Sequence, residues 1–378
     1  MGAEVRRTAG GRQKKATPPI LSHEFVIQNH GDIMSCVLML FVVGLMFPTT
    51  STVSAWFVAP QYNHTIPVNT ENGSTNVTVY LNGLKDLCTI FFYTVAWVVA
   101  HAVIQEYVLD KFQRKAHLSK VKTFKFTESG HHIIFAAYSA VHAFYVIMEF
   151  IQTYSDIKRI WLGYPDDHKW MSLSTKLFAI LQIAYWLHQF PEFYFQKFKR
   201  EEMRQRSIVS IIYIGFIGAA YIMNFLRVAA VLLFLEYASQ TLFHIARIAH
   251  FIEKKSIAKP AFKVWNIAFI LVRLASTVLT VTIFWYGLRQ SESAYIDVAS
   301  GNFNTTYVRI NSLFFILFLQ LVQLWNFISF HIKRFKDNNR KKGDKKKPIP
   351  AAKPLKKARQ EDSEEEAVDV SLKTKKKN

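Results

Sequence analysis

The feature that most limits what this chain can fold into is a series of apolar runs, recurring from one end to the other. They occupy residues 33–53, 87–108, 133–151, 173–195, 208–225, 228–249, 264–288 and 308–330. Each is about 20 residues long, the length a helix needs to cross a ~30 Å hydrocarbon layer. Of the 378 residues, 51% are hydrophobic and 15% aromatic. A soluble domain could hold so much apolar sequence only in one large core. The fold class is therefore all-α, a polytopic membrane protein of about eight spans. The tightest connection is at "MNFLRV" (223–228), where only a turn separates two helices. The first run is too long for a signal-peptide core and lacks a cleavage site, so it reads as a retained anchor.

Charge sets the orientation, because Lys and Arg concentrate on cytosolic connections. The N-terminal segment with Arg6, Arg7, Arg12, Lys14 and Lys15 is basic, as are the stretches 111–125, 197–206 and 247–263 and the C-terminal tail. The alternating connections carry little positive charge and hold four glycosylation sequons, at Asn63, Asn72, Asn76 and Asn304. All four fall on one predicted side, the lumen, which leaves both termini cytosolic. The last 46 residues, from Lys333, hold 17 Lys/Arg against 8 Asp/Glu and show no apolar periodicity, a disordered composition. Of the chain's formal charge of +20, this tail carries +9. Lys375 and Lys376 stand fourth and third from the end, the spacing of a dilysine retrieval signal. Basic tails suit anionic membrane lipid or ribosomal RNA, but no motif accompanies the charge to indicate specific nucleic-acid recognition.

Four regions follow: a basic N-terminal segment (1–32), two spans flanking a glycosylated loop (33–116), a six-helix region (117–332) and the tail (333–378). Cys36 and Cys88 lie near opposite membrane faces, which excludes a disulfide framework or a cysteine metal site.

Polar residues inside the spans are expensive and mark function or pairing. At 1.5 Å per residue, Glu236 lies about 12 Å from the luminal start of its helix and Arg273 about 14 Å from the cytosolic start of the next. Their depths differ by about 4 Å in a ~30 Å layer, which predicts an intramembrane pair. Glu149 and Arg227 fall near the luminal interface. Gln182, His188, Gln320, Gln323 and Asn326 add polar atoms that face something other than lipid, or serve interhelical packing alone. His131-His132 tempts a metal or general-base reading, but no co-ligand is placed by local spacing, so an interfacial amphipathic pair is expected. His244 and His250 lack the i, i+4 spacing of a zinc pair. No nucleophile elbow, phosphate loop or kinase signature occurs. Pro191, in "AYWLHQFPEFYFQK" (184–197), removes a backbone hydrogen bond and predicts a kink in the fourth span.

Several stretches together resemble the translocating chain-associating membrane protein (TRAM) family: "LSHEFVIQNHGDIMSC" (21–36), "HAVIQEYVLDK" (101–111), "KFTESG" (125–130), "AYWLHQFPEFYFQK" and "GNFN" (301–304). The resemblance runs from about Leu21 to Phe330. It implies the TLC domain that these proteins share with ceramide synthases, a six-helix bundle around a central cavity. In ceramide synthases a His-His pair and two Asp residues carry acyl transfer. Anchored on 226–251, the resemblance places Val209-Ser210 at the His-His position, Glu236-Tyr237 at a His-Asp position and Gln240 at the second Asp. It thus implies no catalytic residue, no metal and no cofactor. It further implies an endoplasmic-reticulum protein beside the Sec protein-conducting channel, in contact with nascent secretory and membrane proteins, the ribosome–translocon complex and membrane lipids. The alternatives are a TLC-type lipid-handling protein or acyltransferase-like enzyme, and a transporter using the Glu236–Arg273 region.

Overall fold

A computed structural model describes residues 19, 22–70, 73–154 and 156–344. Six of its helices are long and apolar enough to cross a membrane: α4 (Asp86–Ala116), α5 (Lys120–Tyr154), α7 (Arg200–Ile222), α8 (Leu226–Phe251), α9 (Lys255–Ser291) and α10 (Thr306–Asp344). Between α5 and α7 lies α6 (Leu173–Phe195), as long as α7 but studded with Lys176, Gln182, His188 and Glu192, all buried. Before them come α1 (His23–Gln28), α2 (His30–Gly44) and α3 (Pro48–Val58).

An apolar core fills the bundle, and apolar side chains also cover its outer face. In α9 the buried positions are Ala258, Arg273, Ser276 and Thr280, joined near its C-terminal end by Ile283, Phe284, Gly287 and Leu288. Ile267, Leu271, Leu274 and Val278 of the same helix are exposed, as lipid-facing side chains must be. Five connections turn on a left-handed residue that is not glycine: Tyr62, His117, Lys197, Asn224 and Glu253. At "MNFLRV" the C-terminus of α7 closes through Phe225 N donating to Ala220 O at 2.8 Å, with Asn224 at φ 60°. An asparagine tolerates that conformation best. Its side chain also donates to Gly301 O at 3.0 Å. The bundle centres on α8, which packs along α5 and α9, while α6 lies between α4 and α7.

The first span differs from expectation. Residues 33–53 do not form one helix: α2 ends at Gly44 and α3 folds back over it. Phe41 stacks on Phe57 at 4.4 Å, Thr50 Oγ1 donates to Gly44 O at 2.7 Å, and a Cβ on Gly44 would meet Ser54 Oγ at 2.2 Å. Pro48, at the first turn of α3, starts a new helix and cannot continue the old one.

Two further differences appear. The loop expected between the first two spans contains an antiparallel hairpin, β1 (Asn63–Thr70) and β2 (Gly73–Tyr80), in register Asn63↔Tyr80 to Thr70↔Gly73. The tail expected from Lys333 is helical as far as Asp344, because α10 runs on. The dilysine positions Lys375 and Lys376 lie outside the described residues.

The hairpin is clamped to the bundle by a buried ion pair. Lys176 Nζ lies 2.7 Å from Asp86 Oδ1 and also donates to Gln61 O and Leu81 O, at 2.7 and 2.6 Å. The second Asp86 oxygen accepts from Tyr221 OH at 2.7 Å and Gly83 N at 2.8 Å. Tyr80 and Met171 exchange both backbone hydrogen bonds, at 2.8 and 2.9 Å. The hairpin marks one end of the bundle and the basic connections mark the other.

Candidate functional site

Polar side chains gather in two places within the bundle. The first lies at mid-depth among α7, α8, α9 and α10. The Arg273 guanidinium donates to Glu236 Oε2 and Gln323 Oε1, and at 2.9 Å to Gln320 Oε1. Gln240 Nε2 donates to the other Glu236 oxygen at 2.9 Å and to Tyr213 OH at 2.8 Å. Phe269 lies under the guanidinium, 5.1 Å away. One element thus supplies a cation, another an anion, and two more the neutral amides and phenol that share the charge. The structure therefore brings together Glu236 and Arg273, which sequence spacing placed at similar depth, and joins Gln320 and Gln323 to them. The Arg273 Nε is buried without a partner.

Around this network the ring of helices is incompletely closed. α7 leans on α6 and α8, and α10 leans on α9, while α7 and α10 share at most slight contact. On α7 a Cβ added to Gly215 or Gly218 would meet nothing within 4 Å. A second chain of polar contacts fills the middle of the bundle: Trp186 Nε1 to Tyr237 OH (3.3 Å), Tyr237 OH to Gln182 Oε1 (2.7 Å), and Gln182 Nε2 to Ser139 Oγ (2.9 Å). Buried aromatics surround it, including Phe135 stacked on Tyr185 and Trp186 on Tyr213.

The second place is at the basic end, and sequence spacing missed it. His131 and His132, both half-buried, each stack on a histidine of another helix. His131 stacks on His101 at 3.6 Å, and its Nε2 lies 3.1 Å from Gln105 Oε1. His132 stacks on His244 at 4.9 Å. His188 lies 5.8 Å from His101, and its Nδ1 contacts Tyr185 O. Glu192 accepts from Gln196 Nε2 at 2.9 Å through one oxygen, while its other oxygen is buried without a partner. Glu128 pairs with Arg206 at 2.5 Å. Between them is a cavity of ≈ 50 Å³, room for one or two waters. The rings stack rather than converge, and among the described residues no three His, Cys, Asp or Glu side chains are placed to hold a metal. α6 runs unbroken through Pro191 to Phe195.

Near the hairpin end, Glu149 accepts from Ser172 Oγ at 2.8 Å. Arg227 donates to Arg159 O (3.1 Å) and Asp167 O (2.7 Å), fastening the loop between α5 and α6. In that loop, burial and the nearby Arg227 hold His168 far below its usual range, at about 3. Burial pushes the Tyr164 hydroxyl up to about 12. Asn63 and Asn76 are exposed on the hairpin, and Asn72 lies outside the described residues. Asn304 is different: it is 0% exposed, and its amide nitrogen donates to Leu288 O (2.6 Å), Ser291 O (3.0 Å) and Ser291 Oγ (3.1 Å). That nitrogen is the atom a glycan would occupy.

The profile of the TLC domain matches residues 125–329. The chain is 36% identical over 350 residues to translocating chain-associated membrane protein 2 of Mus musculus, covering 91% of this chain and 92% of that protein. With the Homo sapiens protein of the same name it is 36% identical over 327 residues, 86% of each. Ceramide synthase LOH2 of Arabidopsis thaliana matches at 24% over 194 residues, 50% of this chain and 62% of that protein.

Proposed function

Because the chain belongs to the family of the translocating chain-associated membrane proteins and carries their TLC domain, we propose that it is an endoplasmic-reticulum insertion helper. It contacts signal sequences and transmembrane segments of nascent chains beside the Sec channel of the ribosome–translocon complex. Its hairpin end faces the lumen and both termini face the cytosol. The observation that carries this reading is the Glu236–Arg273–Gln320–Gln323 network, held at mid-depth beside an unclosed seam between α7 and α10.

The physical case is one of matched polarity. A charged side chain at the bilayer centre costs about 2.5–3.5 kcal/mol even on the lenient scale. A nascent segment with one such residue is therefore poorly held by lipid alone. Amides, a phenol and a shared ion pair at the same depth offer it hydrogen bonds. Each intramembrane contact contributes only about 0.6 kcal/mol, so the segment is delayed and then released. No bond is made or broken, and no metal or cofactor is needed. Val209-Ser210 and Gln240 stand where the resemblance places an acyltransferase's catalytic groups, and Gln240 is already committed to Tyr213 and Glu236.

The distant likeness to a ceramide synthase supports a second reading, a lipid-handling protein. Ribosome-arrested secretory chains with a photoactivatable residue in the signal sequence separate the two. The first reading expects a probe-dependent adduct of the combined mass, lost when this protein is depleted from the membranes. No adduct across several clients, with acyl transfer to a labelled sphingoid base instead, would favour the second.

A further inference from the structure

The small cavity at the basic end is walled by four helices, with His101 from α4, Glu128 and His131 from α5, Glu192 from α6 and Arg206 from α7. Phe124 and Phe198 also line it, edge to face at 5.7 Å, and Phe124 is exposed at its rim. One wall lacks its counterpart. Glu192 is 2% exposed, and one of its carboxylate oxygens has no partner.

The neighbouring cations are committed elsewhere. Arg206 is held by Glu128 at 2.5 Å and lies over the face of Phe198 at 4.4 Å. His101 is 3.8 Å from Glu192, but its Nε2 is 2.9 Å from Gln196 Nε2. An amide nitrogen only donates, so this imidazole nitrogen accepts and the ring is neutral. His101 also stacks on His131 at 3.6 Å, which disfavours a charge on either ring. A buried carboxylate is costly unless a cation meets it. A further sign is the π-helical turn Gln105–Leu109 of α4, a local irregularity frequent at functional sites. It sets Gln105 Oε1 3.1 Å from His131 Nε2.

Size and depth define the ligand. A cavity of ≈ 50 Å³ admits a group the size of one or two waters, such as an ammonium, and not a whole lipid headgroup. Glu192 stands 19 residues beyond Leu173 on α6 (192 − 173). At 1.5 Å per residue that is about 28 Å, the far rim of a ~30 Å hydrocarbon layer. An ethanolamine headgroup carries its ammonium outside the phosphate, beyond that rim. A lysine carries its ammonium on a four-carbon stem, which can lie against Phe124 and Phe198 while the head reaches Glu192. Lysines are also abundant on the cytosolic flanks of transmembrane segments.

We propose that this pocket holds the ammonium of a lysine on the cytosolic flank of a nascent transmembrane segment, with Glu192 as its counter-ion. The assignment rests on the insertion-helper reading, and it gives the segment a second hold at its end besides the one at mid-depth.

Ribosome-arrested chains with Lys or Gln on that flank test this in membranes containing the full-length protein. A photoactivatable residue replaces Phe124 in the parent and in Glu192→Gln, and a second parent carries it at Gly215. The expected Phe124 adduct is about tenfold stronger with Lys than with Gln, the low end for a hydrogen bond to a charged group. Glu192→Gln, shown to be folded by a melting curve, should lose that excess. In the parent, methylammonium should compete the excess away, and tetramethylammonium, which has no N–H to donate, should not. Equal Phe124 adducts with Lys and Gln, or an excess that survives in Glu192→Gln, would overturn the assignment. Gly215 adducts persisting beside either result would leave the insertion reading standing, and their absence would remove it too. A Phe124 adduct to tagged phosphatidylethanolamine, in excess over phosphatidylcholine and lost in Glu192→Gln, would make a lipid the occupant and overturn the lysine.

Discussion

Replacing Lys176 by Met isolates what the buried ion pair contributes. Lys176 is 0% exposed, with its ammonium among one carboxylate and two carbonyls. The substitution keeps most of the stem's packing and strands the Asp86 carboxylate, leaving it Tyr221 OH and Gly83 N as donors. Removing one partner of a buried pair costs about 3–5 kcal/mol, because the other charge stays buried and uncompensated. Gln61 O and Leu81 O lose a donor as well, so the upper half of that range applies. The local opening constant of the hairpin should rise by roughly 10³-fold, at 1.4 kcal/mol per decade. Hydrogen–deuterium exchange of residues 61–82 in nanodiscs reads this directly, as faster exchange confined to the hairpin and its stem. The double variant K176M/D86N should recover most of the loss, since no uncompensated charge remains. An exchange increase below about fivefold for K176M, or a double variant worse than the sum of the singles, would refute the reasoning.

Other outcomes follow from the same geometry. Asn304→Gln should leave the glycosidase-sensitive mass of the protein unchanged, while Asn63→Gln and Asn76→Gln each remove one glycan's shift on a gel; a shift lost with Asn304→Gln would contradict its buried, hydrogen-bonded place. Asn304→Ala should lower stability by about 1–3 kcal/mol through its orphaned carbonyl partners, read as an earlier thermal midpoint. His168 is held neutral when folded, at about 3, while an unfolded His takes its proton near 6.5. Its folded pKa is the lower one, so it leaves stability untouched above about pH 6.5 and subtracts from it as pH falls below, by at most 1.4 kcal/mol per pH unit. The difference in thermal midpoint between about pH 7 and pH 5 should shrink in His168→Asn, and an unchanged difference would count against it. Glu236→Gln and Arg273→Met should each lower expression, and the exchange Glu236→Arg with Arg273→Glu should restore part of it; failure of the exchange with both singles impaired would mean the two act apart.

The apolar runs made the order of the long helices legible but not their number, since about eight spans were expected and six helices are long and apolar enough to cross a membrane; depth arithmetic placed Glu236 and Arg273 within reach of each other. The break before Pro48 was legible in principle, since proline opens a helix, but the uninterrupted apolar run over 33–53 concealed it. The hairpin also had its signal in Asn72-Gly73 between alternating Val and Thr. It was hidden by treating the interval between spans as a loop. Residues 333–344 have the composition of a disordered tail, yet they are helical because adding residues to an existing helix avoids the cost of nucleation. The histidine cluster had no local signature. His101 comes from α4, His131 and His132 from α5, His188 from α6 and His244 from α8, so only the tertiary arrangement of the helices gathers them.

The central claim is that nascent segments pass the seam between α7 and α10. A photoactivatable residue at Gly215, Gln323 or, as a control, at the lipid-exposed Leu40 of α2 tests it against ribosome-arrested chains whose transmembrane segment carries or lacks one charged residue. The account predicts adducts from Gly215 and Gln323, stronger with the charged segment, and none above background from Leu40. Equal adducts from all three positions, or from Leu40 alone, would contradict it.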